Sequence, residues 1–250
     1  MATSGSVNFT MSRDDIITDV LETLGVKNPN SPAKAADVVS CARKLNMMVK
    51  SWMKTGHHLW AMSEGTLFLE VGDAAYSLGA TGDHCTNTYV HTTLSTAEAT
   101  SSTSLGLTAF AGMSASDNIG IVLDDGTVHW TTISGAPGAT TTIATGLASA
   151  AAAGNVVFTY TTKINRPLRV ISAYRRDIDN IDTPLEIIAR TDYADLSNKF
   201  STGSAVQVFY NPQLTNGILS VWPAPNIATD VIRFWYERPL EDFDASTDNP

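Results

Sequence analysis

No lysine or arginine occurs between residues 86 and 162, although the chain carries 16 of them elsewhere. The stretch holds four acids, Glu98, Asp117, Asp124 and Asp125, and is otherwise Thr, Ala, Gly, Ser and short apolar runs. Its flanks differ: residues 1–85 read as helices followed by strands, and residues 163–250 are rich in Arg, aromatics and Pro. A composition break on both sides predicts a discontinuous frame, 1–85 with 163–250, and a second module, 86–162, set into one of its loops. Exposed loop tips are where chains best tolerate an insertion.

The 250 residues allow one large or two small domains with a sizeable core, and 43% apolar content is normal for a soluble globular chain. No apolar run approaches the ~20 residues of a membrane-crossing helix. The opening Met1-Ala-Thr-Ser-Gly-Ser-Val-Asn has neither the charged nor the apolar region of a secretory signal. Two cysteines, Cys41 and Cys85, make no disulfide framework and fit folding in a reducing cytoplasm. The net charge of −9 argues against a tight nucleic-acid binder, whose affinity comes mostly from neutralising phosphates. It suits a surface that DNA slides past.

Ser12 is a good helix N-cap, with Asp14 and Asp15 at the positive end and Ile16, Ile17, Val20, Leu21 and Leu24 at helical spacing before Gly25. After a Pro-containing linker, Ser31 and Pro32 read as the start of a second helix. Its stripe is Val38, Cys41, Leu45, Met48, Val49 and Trp52, and Gly56 ends it near Lys50, Lys54 and His57. The pair predicts an antiparallel helical hairpin.

Strands follow. Residues 67–71 and 75–78 flank the turn signal Gly72-Asp73. In the second half of the frame, 168–174 and 184–188 flank an Asp-rich turn, and Thr191 caps a short helix. Residues 206–210 and 218–222 form a hairpin, and 231–236 is a last strand stopped by Pro239. In the module, 119–123 and 128–133 flank Asp124-Asp-Gly-Thr, a strong hairpin signal. Residues 90–94, 140–143 and 156–160 add further strands. The fold class is therefore α+β: an N-terminal helical hairpin, an antiparallel β frame, and an inserted small barrel or sandwich.

Motifs that carry chemistry are weak. Gly79-Ala-Thr-Gly-Asp lacks the Lys of a phosphate loop and reads as a turn. Asp177-Ile-Asp-Asn-Ile-Asp fails the calcium-loop pattern, with Ile181, Asp182 and Ile188 at the fifth, sixth and twelfth positions. His84, Cys85, His91 and His129 are metal-ligand types without zinc-site spacing. No cofactor and no metal are expected. The densest basic cluster, Arg166, Arg169, Arg175 and Arg176, reads either as a phosphate- or partner-facing patch or as solvated strand positions beside the Asp-rich turn. Trp222, Phe234, Trp235, Tyr236 and Phe243 load the last strands with aromatics. Because strand neighbours alternate in direction, at least one of Phe234, Trp235 and Tyr236 must face outward, as a subunit interface would use it. Trp222, Trp235 and Tyr236 join the four arginines as candidate interface residues.

The frame resembles the head-to-tail adaptor proteins of tailed bacteriophages, the packaged-DNA stabilisation or tail-tube-A type. The likeness lies in Leu24-Gly25-Val26, in Leu45-Asn-Met-Met-Val-Lys-Ser-Trp-Met-Lys-Thr-Gly, and in Gly72-Asp73-Ala-Ala-Tyr-Ser-Leu-Gly. It continues through Arg166-Pro-Leu-Arg-Val, Pro184-Leu-Glu-Ile-Ile-Ala-Arg-Thr-Asp-Tyr-Ala, Leu219-Ser-Val-Trp-Pro-Ala-Pro and Phe234-Trp-Tyr-Glu-Arg-Pro-Leu. Residues 118–133 are similar to an insert found in some such proteins. The resemblance implies a non-enzymatic structural protein of the virion, at the head-tail junction, assembled in the host cytoplasm. Its expected partners are copies of itself in a ring of typically twelve, the portal protein, and tail tube, nozzle or fibre proteins. Packaged DNA would pass through the channel without sequence-specific binding, and no membrane is involved. Family members continue past the equivalent of Pro250 into a helical segment whose contacts are not carried over.

The module is expected to point outward, towards tail proteins or neighbouring subunits. A carbohydrate- or host-surface-binding β module is the alternative, from the Thr-rich strands and the aromatics. A hydrolase using Glu64 and Asp83 is a third reading, with no paired-carboxylate geometry legible in the sequence.

Overall fold

A computed structural model describes residues 11–55 and 62–246. The chain divides into two compact units, 1–60 with 239–250, and 61–238.

The first unit is helical. In α1 (Arg13–Thr23) the Ser12 hydroxyl accepts from the Asp15 amide while the Asp15 carboxylate accepts from the Ser12 amide, a reciprocal cap that satisfies two of the free donors at a helix start. Gly25, at φ +68°, turns the chain out of the helix. The second helix, α2 (Ala35–Thr55), begins four residues after Ser31 rather than at it. Ser31 turns its hydroxyl back onto the Asn28 carbonyl, closing a turn instead of capping forward. The expected end at Gly56 lies outside the described residues.

Length decides how much of α2 is covered. Eleven helical residues span ~16 Å and 21 span ~31 Å, so α1 shields only part of its partner. Ile17, Leu21 and Val49 are buried, whereas Met48 and Trp52, expected on the buried stripe, are 42% and 45% exposed. The C-terminal segment adds polar ties. The Phe243 amide donates to Asn46 Oδ1, and Lys50 pairs with Asp242 at 2.6 Å.

The second unit holds β1 (Met62–Phe68), β2 (Ala75–Leu78), β3 (Cys85–Thr86), β4 (Val90–Thr93), β5 (Ser104–Gly106), β6 (Asn118–Val122), β7 (Val128–Thr132), β8 (Thr140–Thr142) and β9 (Val156–Tyr160). There follow β10 (Arg169–Arg176), β11 (Asp182–Ile187), α3 (Arg190–Asp195), β12 (Thr202–Gly203), β13 (Gln207–Asn211), β14 (Gly217–Trp222), β15 (Ala224–Pro225) and β16 (Val231–Glu237). The class is α+β.

The frame is one eight-stranded sheet in the order β2-β14-β13-β11-β10-β16-β1-β3. Laid flat, its first and last strands would lie ~34 Å apart, seven spacings of ~4.8 Å. Those two strands are joined by residues 79–84 alone, and the Asp83 carboxylate accepts from the Ser77 amide at 2.7 Å. The sheet therefore curls until it is nearly closed. Ile232, Phe234 and Tyr236 alternate inward from β16 and pack with Leu67, Leu219 and Val221 inside the curl.

Two expectations about pairing are corrected. The turn at Gly72 forms, with φ +85°, but the segments around it do not pair: β1 takes β16 and β3 as neighbours, and β2 joins β14. The frame is also not wholly antiparallel. The α3 crossover sends the chain back so that β13 runs parallel to β11.

The 86–162 stretch forms a four-stranded sheet, β4-β9-β6-β7, and a β5-β8 pair around Leu105, Ile119, Ile121, Ile143 and Val157. The compact units do not follow its boundaries. Strand β9 is buried at all five positions because it serves two cores. Val157 faces inward, while Val156, Phe158 and Tyr160 pack with Phe68, Ala228 and Val231 of the frame.

Candidate interface

Three neighbouring strands, β1, β16 and β10, carry a polar network on the face away from the frame core. The registers pair Arg233 with both Thr66 and Tyr174, which puts Glu64, Arg233 and Tyr174 on the same side. The Glu64 carboxylate accepts from the Tyr174 hydroxyl at 2.5 Å and from Arg233. The guanidinium carbons of Arg233 and Arg176 lie 5.9 and 5.6 Å from the Tyr174 ring centroid. Arg176 forks onto both oxygens of Asp182 at 2.7 and 2.8 Å, which holds that carboxyl below its usual range. Burial, and then the bond to Glu64, push the Tyr174 hydroxyl above its ordinary value.

The four arginines of the basic cluster do not converge. Arg175 and Arg176 are consecutive in a strand, so they leave on opposite faces: Arg176 meets Asp182, and Arg175 reaches Asp230 at 3.5 Å. Arg169 pairs with Glu237 at 2.9 Å, and Arg166 lies beside Tyr210, whose hydroxyl donates to the Pro167 carbonyl. Three of the four thus meet a carboxylate of the same chain, so these four do not form one concentrated positive patch.

Among the aromatic candidates, Trp235 is 42% exposed and faces away from the core. Met62 and Ile171, on the flanking strands, are also exposed. Trp222 is half-buried, its indole N–H donating to the Asn198 carbonyl. Tyr236 is corrected: at 1% exposure its ring belongs to the core, because it has the same strand parity as Phe234.

Apolar side chains are also exposed on the helical unit, where the candidate residues do not lie, and at Phe200 and Leu214 of the β unit. Val39 and Met47 on α2 are 60% and 66% exposed, and Leu24 and Val26 after α1 are 68% and 64% exposed. The signal was in the sequence, since Val39 and Met47 fall off the predicted stripe and an amphipathic helix would place polar residues there.

Other candidate residues are engaged in the fold. The Asp177 carboxylate accepts from the Asp179 and Ile181 amides, closing the turn that resembled a calcium loop. His84 lies flat on Trp130, with Nδ1 2.6 Å from the Tyr160 hydroxyl. Cys85 is fully buried, which pushes its thiol well up. His91 packs near Phe158 and His129 near Thr145. Among the described residues no three His, Cys, Asp or Glu side chains are grouped to hold a metal. Glu64 and Asp83, the hydrolase candidates, are bound to Arg233 and to the Ser77 amide respectively.

No family model, curated protein or solved structure matches this chain.

Sequence reasoning missed the tie between His84 and Trp130 and the network around Glu64. Each joins residues more than 45 positions apart, and only strand pairing brings them together.

Proposed function

We propose that this chain is a structural subunit that associates with copies of itself into a ring, serving as a head-to-tail adaptor of a tailed-phage particle. One observation carries the association: the helical unit exposes Val39, Met47, Leu24 and Val26, apolar side chains that another copy would cover. A ring needs a repeating, two-sided contact, and an apolar helix face meeting a different surface of the next copy supplies one. Trp235 with Met62 and Ile171 is a second apolar patch available to a neighbour or to another virion protein. The role in a particle rests on the sequence resemblance. The net charge of −9 and the carboxylate-paired arginines suit a channel through which DNA moves without being held.

The test is the mass and shape of the purified full chain, alone and mixed with the portal protein of the same particle. Light scattering should give a multiple of the 26.7 kDa subunit, and negative-stain images should show closed rings. A monomer at high concentration, both alone and with the portal, would end the proposal.

A further inference from the structure

The β module carries a cleft of about 180 Å³ lined by Thr88, Tyr89, Gly112, Asp117, Thr159 and Tyr160 among others. Strand parity explains why polar groups meet there. Ile119 and Ile121 of β6 point into the module core, and Asp117, two residues earlier, has the same direction. Thr159 pairs with Ile119 across β6 and β9 and shares that face. The module's apolar core therefore ends in a carboxylate and a hydroxyl. Gly112, at φ +84°, borders the same cleft, and a Cβ there would come within 3.2 Å of Val90.

Both side chains are nearly sealed from solvent, Asp117 at 3% exposure and Thr159 at 1%. Asp117 Oδ2 accepts from the Ser114 amide at 2.7 Å. Among the described residues, Asp117 Oδ1 and Thr159 Oγ1 have no hydrogen-bond partner. A buried carboxylate oxygen without a donor is costly, and in this module no Lys or Arg exists to reach it, because residues 86–162 contain none.

We propose that this cleft binds a primary ammonium group, with Asp117 Oδ1 as its counter-charge and Thr159 Oγ1 as a second acceptor. A compact –NH₃⁺ carries three donors and needs few acceptors. A calcium-like ion asks for six or more oxygens, and among the described residues no three-carboxylate or mixed metal cluster is present. The ammonium can belong to a free small amine or to a lysine side chain of a partner. The proposal is independent of the ring reading and stands or falls separately from it.

The test is methyl NMR of the full chain, following Val90 and Ile119 beside the cleft. Methylammonium, n-butylammonium and a lysine-containing peptide are titrated, against tetramethylammonium, potassium and calcium. Saturable shifts with primary amines, and none with tetramethylammonium, are expected. Asp117→Asn keeps an acceptor for the Ser114 amide and removes the charge; it should weaken the response at least about tenfold, the scale of one charge-assisted bond. Thr159→Val should weaken it less. Shifts from free amines alone identify a small-molecule ligand, and shifts from the peptide as well identify a partner's lysine; both uphold the proposal. An equal response in Asp117→Asn, a response to potassium or calcium only, or no response to any amine overturns it. A thermal melt of each variant confirms that the fold is retained.

Discussion

The imidazole of His84 lies on the indole of Trp130 with ring centroids 3.7 Å apart and planes 4° from parallel. One ring belongs to the loop leading into β3 and the other to β7, so the stack ties the frame to the module. Phe68, Tyr89, Phe158 and Tyr160 surround the joint in edge-on, tilted and stacked contacts.

This placement makes His84 a source of acid sensitivity. Burial, with a smaller contribution from Lys163, lowers its pKa from 6.5 to about 4. The folded ring stays neutral while the unfolded one takes a proton, so stability falls as pH drops from about 6.5 towards 4 and levels off below that. Asp230, whose carboxyl burial pushes up, contributes with the opposite sign in acid. The readout is therefore the difference between the native chain and His84→Gln in urea unfolding at several pH values. The native chain should lose more stability across that window, and an imidazole NMR titration should show a midpoint near 4. A midpoint near 6.5 would contradict the stack.

Gly120 is where the indole of Trp130 rests, directly opposite it across β6 and β7. A Cβ built there would lie 2.6 Å from the Trp130 ring. Any shift of the ring would disturb the His84 stack that it also carries. Gly120→Ala should therefore destabilise by about 1–3 kcal/mol, as overpacking does. It should also move the His84 midpoint up towards its ordinary value, a shift that a remote Gly→Ala change would not produce.

Glu64 and Arg233 are each about one-fifth exposed, enough burial that losing one partner strands the other. Glu64→Ala should cost about 2 kcal/mol and Arg233→Ala a similar amount, with strong non-additivity in the double variant. Additive losses in denaturant unfolding would show that the pair is not coupled. Glu64→Ala should also let the Tyr174 hydroxyl titrate at lower pH, since the bond to the carboxylate helps to hold it high.

Met47, at 66% exposure, is the residue for testing self-association without touching the core. Met47→Glu should raise the dissociation constant of the assembly at least about tenfold while leaving the unfolding midpoint of the subunit nearly unchanged. Sedimentation across a concentration series reads the first and a dilute-protein melt the second. Unaltered assembly would move the interface away from this face of α2.

Much of the fold was legible because its signals are local. The Ser12 cap, the stop at Gly25, the Asp124-Asp-Gly-Thr hairpin and the alternation of Ile232, Phe234 and Tyr236 depend on residues a few positions apart. The misses have physical reasons. Ser31 bonds backward instead of capping, and Gly72 makes a turn whose flanking strands prefer other partners. Strand β5 has one apolar residue, Leu105, and no alternation to read.

By itself, the sequence determined most of the elements, the inward face of strands such as β16, and the charge vacancy between residues 86 and 162, since propensity, periodicity and composition act over a few residues. Only the tertiary structure decided which strands became neighbours. That pairing set three of the four arginines on separate carboxylates, curled the frame sheet until nearly closed, pressed His84 against Trp130 and left Asp117 Oδ1 buried without a partner among the described residues. The physical reason is that long-range pairing is chosen by the burial of whole faces, a cooperative quantity that no short window of residues contains.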